Sequence, residues 1–158
     1  MSTSNSTAPL FIKSLVFFDL ETTGLLNDPP AKITEVFFSA IERDQFVDCS
    51  KSRKVRPRVT NRLNLCINPS RKIHPEAVKV SNLDDLCLKN QSKFDDDVFN
   101  AIYSFLNRLE KPICLIAHNG INFDFPILVS EVAKLGKVIL LQLSSLFVIR
   151  VVYNMMYF

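Results

Sequence analysis

Leu15-Val16-Phe17-Phe18-Asp19-Leu20-Glu21-Thr22-Thr23-Gly24 is the stretch on which the reading of this chain turns. It opens on four apolar, β-prone residues and closes on a turn signal, so it reads as a buried strand ending in a turn. Asp19 and Glu21 stand two residues apart, and strand alternation sends both carboxylates to the same side. Like charges held that close raise a pKa unless something neutralises them, and a divalent cation does so directly. Asp-x-Glu is also an ordinary strand ending, so it takes a second cluster to give the pair a meaning.

Working outward, a second strand is expected over 33–41, where Val36, Phe37 and Phe38 cluster, and a third over 62–67. The basic stretch around Pro57 reads as the loop between them. Asp95, Asp96 and Asp97 precede Val98, Ile102, Phe105, Leu106 and Leu109, apolar residues at helical spacing behind acids that suit a helix N-terminus. After Pro112, Ile113 to Ala117 is another apolar strand. A further helix begins near Pro126, with Leu128, Val132 and Leu135 on one face and Gly136 closing it. Three strands, helix, strand, helix predicts an α/β layer in which the first strands pair antiparallel and the later one joins in parallel through a crossover.

At 158 residues and 18.0 kDa the chain has room for one domain. A hydrophobic fraction of 47% with 22% charged residues excludes wholesale disorder. The net charge of +3 is too small to name a partner, but its distribution is uneven. Lys51, Arg53, Lys54, Arg56, Arg58, Arg62, Arg71 and Lys72 occur without an acid among them, which suits either a phosphate-binding field or a solvated loop. Cys49, Cys66, Cys87 and Cys114 form no Cys-x-x-Cys pair, which argues against a zinc knuckle. The polar start, lacking a signal-peptide pattern, points to a cytoplasmic or nuclear location with free thiols. Residues 138–158 are nearly continuously apolar, but Gln142, Ser144, Ser145, Arg150 and Asn154 interrupt them. A buried strand or an unfolded tail is expected there in preference to a membrane span.

The second cluster is Ala117-His118-Asn119-Gly120-Ile121-Asn122-Phe123-Asp124-Phe125-Pro126. Here a strand runs into a turn, and Asp124 sits at the start of a helix where it can converge with Asp19 and Glu21. As an N-cap the same residue would accept a backbone N–H, and the two roles are compatible. His118 reads as structural before catalytic, and His74 as a surface turn residue.

Together the two clusters resemble the DEDDh 3′→5′ exonuclease family, most closely its three-prime repair (TREX-like) branch. Pro57-Arg58-Val59 with Leu63-Asn64-Leu65-Cys66, and Ile73-His74-Pro75-Glu76-Ala77 with Val80-Ser81-Asn82-Leu83, look like the same branch in the expected order. The resemblance divides the chain into a polar leader (1–12), an exonuclease domain (13–137) and a departing apolar tail (138–158). It implies a ribonuclease-H-like mixed sheet with flanking helices and two-metal hydrolysis at DNA 3′ ends, preferably single-stranded. Asp19 would bridge two Mg²⁺ ions (Mn²⁺ being an alternative), Glu21 would bind one, and Asp124 would hold the second directly or through water. Glu21, Thr22, Thr23, Leu25, Asn119 and Phe123 would contact the terminal nucleotide. The resemblance further implies a homodimer joined by sheet edges near Arg62 to Ile67, and no membrane partner.

The family completes its site with another aspartate and a His-x-x-x-x-Asp element downstream of the position matching Asp124. This chain has no Asp, Glu or His after Glu131. The sequence therefore reads as a member truncated at its C-terminus, with its fold incomplete there. A catalytically deficient nucleic-acid-binding or dimerising variant stands as the alternative to an active nuclease.

Overall fold

The computed structural model describes residues 11–25, 30–52, 56–137 and 147–149, the last three as backbone. Five strands form one mixed sheet in the order β3-β2-β1-β4-β5. β1 (Ser14–Thr22) pairs antiparallel with β2 (Ile33–Glu42), which pairs antiparallel with β3 (Asn61–Cys66). On the other side β1 runs parallel to β4 (Ile113–Ile116), and β4 runs parallel to β5 (Phe147–Ile149). The α/β mixed sheet read from the sequence is thus present, with three antiparallel strands and a parallel neighbour. The remainder of the apolar stretch 138–158, like residues 1–10, lies outside the described residues. Among the described residues no helix is long and apolar enough to cross a membrane.

Alternation along β1 sorts the sheet into two faces. Val16, Phe18 and Leu20 are buried with Val36, Phe38 and Ala40 of β2, while Phe17 and Glu21 are only half-buried and Asp19 is exposed. The buried face is covered by α4 (Asp96–Asn107) and α5 (Asp124–Lys134), which contribute Phe99, Ile102, Leu106, Ile127, Leu128 and Val132 to one core. Rings set its thickness: Phe18 stacks on Phe38 at 5.4 Å and meets Phe125 edge-on at 4.9 Å. On the other face α1 (Arg43–Ser52) brings the Phe46 ring within 6.3 Å of Phe17.

The helix ends follow elementary capping chemistry. Asp95 caps α4 by accepting from the Asp97 and Val98 amides at 3.1 Å, with Asp96 and Asp97 in the first turn where the helix dipole favours acids. Gly136, at φ +69°, supplies the left-handed residue after α5.

Three helices were missing from the sequence reading. α1 occupies part of the segment read as a loop, and α2 (Pro75–Ser81) and α3 (Asp85–Leu88) lie in the crossover from β3 to β4. α2 contributes no buried residue, so no apolar stripe marks it in the sequence. His74, read as a surface turn residue, is its N-cap, with Nδ1 accepting from the Glu76 amide at 3.3 Å.

Thr34 on β2 is fully buried, and among the described residues its hydroxyl has no hydrogen-bond partner. Burying an unpaired hydroxyl costs about 1–3 kcal/mol. Thr34→Val keeps the shape and removes that cost. It is expected to raise the thermal midpoint by a few degrees in a scanning calorimeter.

Candidate active site

The site forms where the parallel pair β1 and β4 ends. β4 stops at Ile116, opposite Phe17, while β1 continues through Asp19, Leu20, Glu21 and Thr22. The chain leaving β4 turns back through 118–123 and enters α5, whose first residue is Asp124. Asp124 is 2% exposed, and its Oδ1 accepts the Leu20 amide at 3.1 Å. It therefore does not cap its own helix: the cap position belongs to Phe123, which makes no side-chain cap bond. The backbone donor Asp124 satisfies lies on β1, on the stretch that has run past the end of β4.

The turn that aims Asp124 is tightly specified. Asn119 takes a positive φ of 50°, tolerable for asparagine, and its Oδ1 accepts from Asn122 Nδ2 at 2.9 Å. A Cβ on Gly120 would lie 2.8 Å from the Ala117 Cβ and 2.8 Å from the Phe125 ring. Only glycine fits.

Asp19, Glu21 and Asp124 share one electrostatic neighbourhood. Burial, then the Asp19 carboxylate, pushes Asp124 up to about 6 from an ordinary 3.8, against the Leu20 amide, its own amide and His118, which favour the charged form. Glu21 is raised by burial, then by Asp19, Glu35 and Asp124. Glu35 sits directly across β2 from Glu21 and takes the Cys66 thiol at 3.8 Å on its Oε1. It is an acid the sequence reading overlooked, visible only once the register pairs it with Glu21. His118 is exposed and, among the described residues, makes no side-chain hydrogen bond.

The donor set is wholly carboxylate oxygen, the chemistry preferred by hard divalent cations, and the mutual repulsion within it is what such a cation relieves. In these respects the residues fit a divalent metal. Among the described residues no three His, Cys, Asp or Glu side chains stand close enough together to hold one by themselves.

Beside the carboxylates opens a cleft of about 900 Å³, lined by Glu21, Thr22, Thr23, Leu25 and Phe123 together with the 71–77 segment and Val80. Five of the residues expected at the terminal nucleotide are thereby brought together. Asn119 is not among the lining residues. Thr22 and Thr23 are buried and bonded locally: Thr22 Oγ1 donates to the Gly24 carbonyl at 2.7 Å, and Thr23 Oγ1 accepts from the Lys32 amide at 3.1 Å. Their hydroxyls shape the turn. Leu25 is 73% exposed and Val80 78%, so the cleft presents two large apolar groups to solvent. The sequence names Val80 only within a motif and not as a cleft residue, because an apolar residue on a short helix with no buried face has no periodic signature. The Arg71 guanidinium, held by the Pro30 carbonyl at 2.8 Å, and the exposed Lys72 add positive charge at the rim.

A family model described as Exonuclease matches residues 16–153. The chain belongs to the exonuclease family. The match runs beyond residue 137, where the sequence reading placed the end of its resemblance. Within the family the chain is TREX-like: it is 38% identical over 141 residues to three-prime repair exonuclease 1 of Bos taurus, covering 84% of this chain and 44% of that protein. It is 37% identical over 129 residues to three prime repair exonuclease 2 of Mus musculus, covering 78% of this chain and 54% of that protein. The chain thus spans about half the length of the curated relatives it matches. Among solved structures, exonuclease I from Methylocaldum szegediense superposes with a TM-score of 0.59 over 77% of this chain and 24% of its own, at 15% identity. Another exonuclease I structure also gives 0.59, at 12% identity and the same coverages. These likenesses extend to the fold, which is ribonuclease-H-like.

Two outcomes are expected. Gly120→Ala forces the turn against Ala117 and Phe125 and lowers stability by about 1–3 kcal/mol in urea unfolding. Asp124→Asn keeps an oxygen for the Leu20 amide while removing a buried charge. Because the folded pKa of Asp124 lies above its ordinary value, the carboxylate's destabilising effect develops as pH rises from about 4 to about 6 and is complete above that. In EDTA the Asn variant should therefore melt a few degrees higher than wild type at neutral pH and match it near pH 4.

Proposed function

We propose that this chain carries the catalytic carboxylates of a 3′→5′ exonuclease that hydrolyses phosphodiester bonds at DNA 3′ ends, preferably single-stranded, by a two-metal mechanism. The observation that carries this reading is the convergence of Asp19, Glu21 and Asp124 at the end of β1, beside a cleft with an exposed apolar rim. Asp19 and Glu21 project from one face of β1, and the Leu20 amide orients the buried Asp124 toward them. In this role Asp19, Glu21 and Asp124 would be the groups that hold Mg²⁺ or Mn²⁺. When bound, such ions supply activation of water and charge stabilisation for the leaving oxygen.

The protein's own groups position the substrate. Leu25, Val80 and Phe123 offer apolar contact to a base or sugar without reading its identity, which suits a nuclease indifferent to sequence. The turn bearing Leu25 is held by backbone bonds from Thr23 to the Lys32 carbonyl at 2.8 Å and from His74 to the Thr23 carbonyl at 2.9 Å. Arg71 and Lys72 favour a polyanion at the rim. Among the described residues β3 pairs on one side only, and its outer edge would suit pairing with a second copy in a homodimer. Among the described residues the four cysteines form no disulfide, which suits a reducing cytoplasmic or nuclear setting.

A second reading is a nucleic-acid-binding or dimerising variant without turnover, which would use the same cleft and its basic rim for binding alone. A 5′-labelled single-stranded DNA incubated with the purified chain in Mg²⁺, Mn²⁺ or EDTA separates the two. Metal-dependent shortening from the 3′ end, reduced at least a hundredfold in Asp19→Ala, is the expected result. Shortening that persists in Asp19→Ala would overturn the proposed site, and DNA binding without shortening would favour the second reading.

A further inference from the structure

α5 carries two buried acids, Asp124 at its first position and Glu131 seven residues on. That spacing puts both on one face of the helix, two turns or ~10 Å apart. Each reaches the end of β1. Asp124 does so directly, through the Leu20 amide at 3.1 Å. Glu131 does so through Lys32, whose Nζ lies 3.3 Å from Oε1 and 3.4 Å from Oε2. Lys32 is in turn bound to Thr23 at two points: its carbonyl accepts from the Thr23 amide at 2.8 Å, and its amide donates to Thr23 Oγ1 at 3.1 Å. These bonds close the base of the connection between β1 and β2, and that connection bears Leu25.

Charge compensation alone does not account for Lys32. Glu131 already has a cation in its own helix, Lys134 at 2.6 Å, and one lysine matches its charge. Holding the long Lys32 side chain inward costs rotamer entropy. What the second lysine adds is a link between two elements that carry different parts of the site. The other ties on the connection come from the segment after β3: the His74 amide donates to the Thr23 carbonyl at 2.9 Å, and the Arg71 guanidinium to the Pro30 carbonyl at 2.8 Å. Among the described residues, the polar contact that joins α5 to this connection is the Lys32–Glu131 pair.

We propose that Lys32, gripped by Glu131, is a positioning residue: it sets Leu25 over the cleft at a fixed distance from Asp124, and so governs how well the cleft holds a terminal nucleotide. The proposal deepens the nuclease reading and rests on it for the identity of the ligand. The two acids of α5 then divide the work. Asp124 ties the helix to β1 on the carboxylate side of the cleft, and Glu131 ties it to the apolar side. A displacement of ~1 Å at a positioning group can cost up to ~10²-fold in rate, so a single ion pair away from the carboxylates is enough to matter.

Two measurements on the full chain in EDTA test this. In amide hydrogen exchange without ligand, Lys32→Met should speed exchange at Thr23 and at position 32 about tenfold, while Leu20, held by Asp124, stays as in wild type. Lys134→Met takes the other lysine from Glu131 but leaves the link, and it should move none of the three amides. In fluorescence anisotropy with a 5′-fluorescein-labelled thymidine trinucleotide, Lys32→Met should weaken binding about tenfold. The factor should be the same at about 50 and about 200 mM salt, because the lysine does not act as a charge on the DNA. In a Leu25→Ala background the same substitution should change binding less than about twofold, since its action passes through Leu25. If Lys32→Met fails to fold, Glu131→Gln, which keeps the side chain's shape, replaces it in both measurements with the same expectations. Unchanged exchange at Thr23, equal losses with and without Leu25, a loss that vanishes at the higher salt, or no trinucleotide binding by wild type would each overturn the proposal. Failure of the nuclease reading registers elsewhere, as 3′ shortening that survives Asp19→Ala, and the exchange series needs no ligand.

Discussion

The hydrogen bond from the Leu20 amide to Asp124 Oδ1 is the contact around which the site is organised. It joins residues 104 positions apart, and it exists because β1 outruns β4. Beyond Ile116 the backbone of β1 has no strand neighbour on that side, and a buried amide left there would be costly. Asp124 supplies the missing acceptor from the first turn of α5. One bond thus satisfies the strand, fixes the start of the helix and brings a third carboxylate beside Asp19 and Glu21.

That arrangement works against stability. A desolvated carboxylate next to another acid is what pushes Asp124 up to about 6, and the fold tolerates it because the surrounding core is dense. Phe18, Phe38, Phe105 and Phe125 pack behind the carboxylates, and the Gly120 turn has no room even for a methyl group. The buried Glu131 is treated differently, since Lys32 and Lys134 neutralise it at 3.3 and 2.6 Å. Within one helix, then, one buried acid is paired and the other is left in repulsion with its neighbours. Perturbed carboxyl groups of this sort cluster at functional sites.

The cleft follows the same division of labour. Backbone bonds among Thr23, Lys32 and His74 make its floor rigid, while Leu25 and Val80 stay exposed at considerable hydrophobic cost. Rigid polar scaffolding beneath exposed apolar groups suits a flat, partly apolar ligand held in a fixed position.

By itself the sequence determined the strand bearing Asp19 and Glu21, the capped helix after Asp95, the parallel strand after Pro112 and the family to which the motifs belong. These are local signals: alternation, capping residues and turn chemistry act within a few residues of one another. It did not reveal α2, whose residues bury nothing, or the role of Val80, because an exposed apolar residue has no period to betray it. It left Asp124 as a possible cap, and only the tertiary structure gave its acceptor a partner on β1. The standing of Glu35 opposite Glu21 was likewise decided by strand register. Register is fixed by which faces are buried across the whole sheet, and no stretch of sequence contains that information alone.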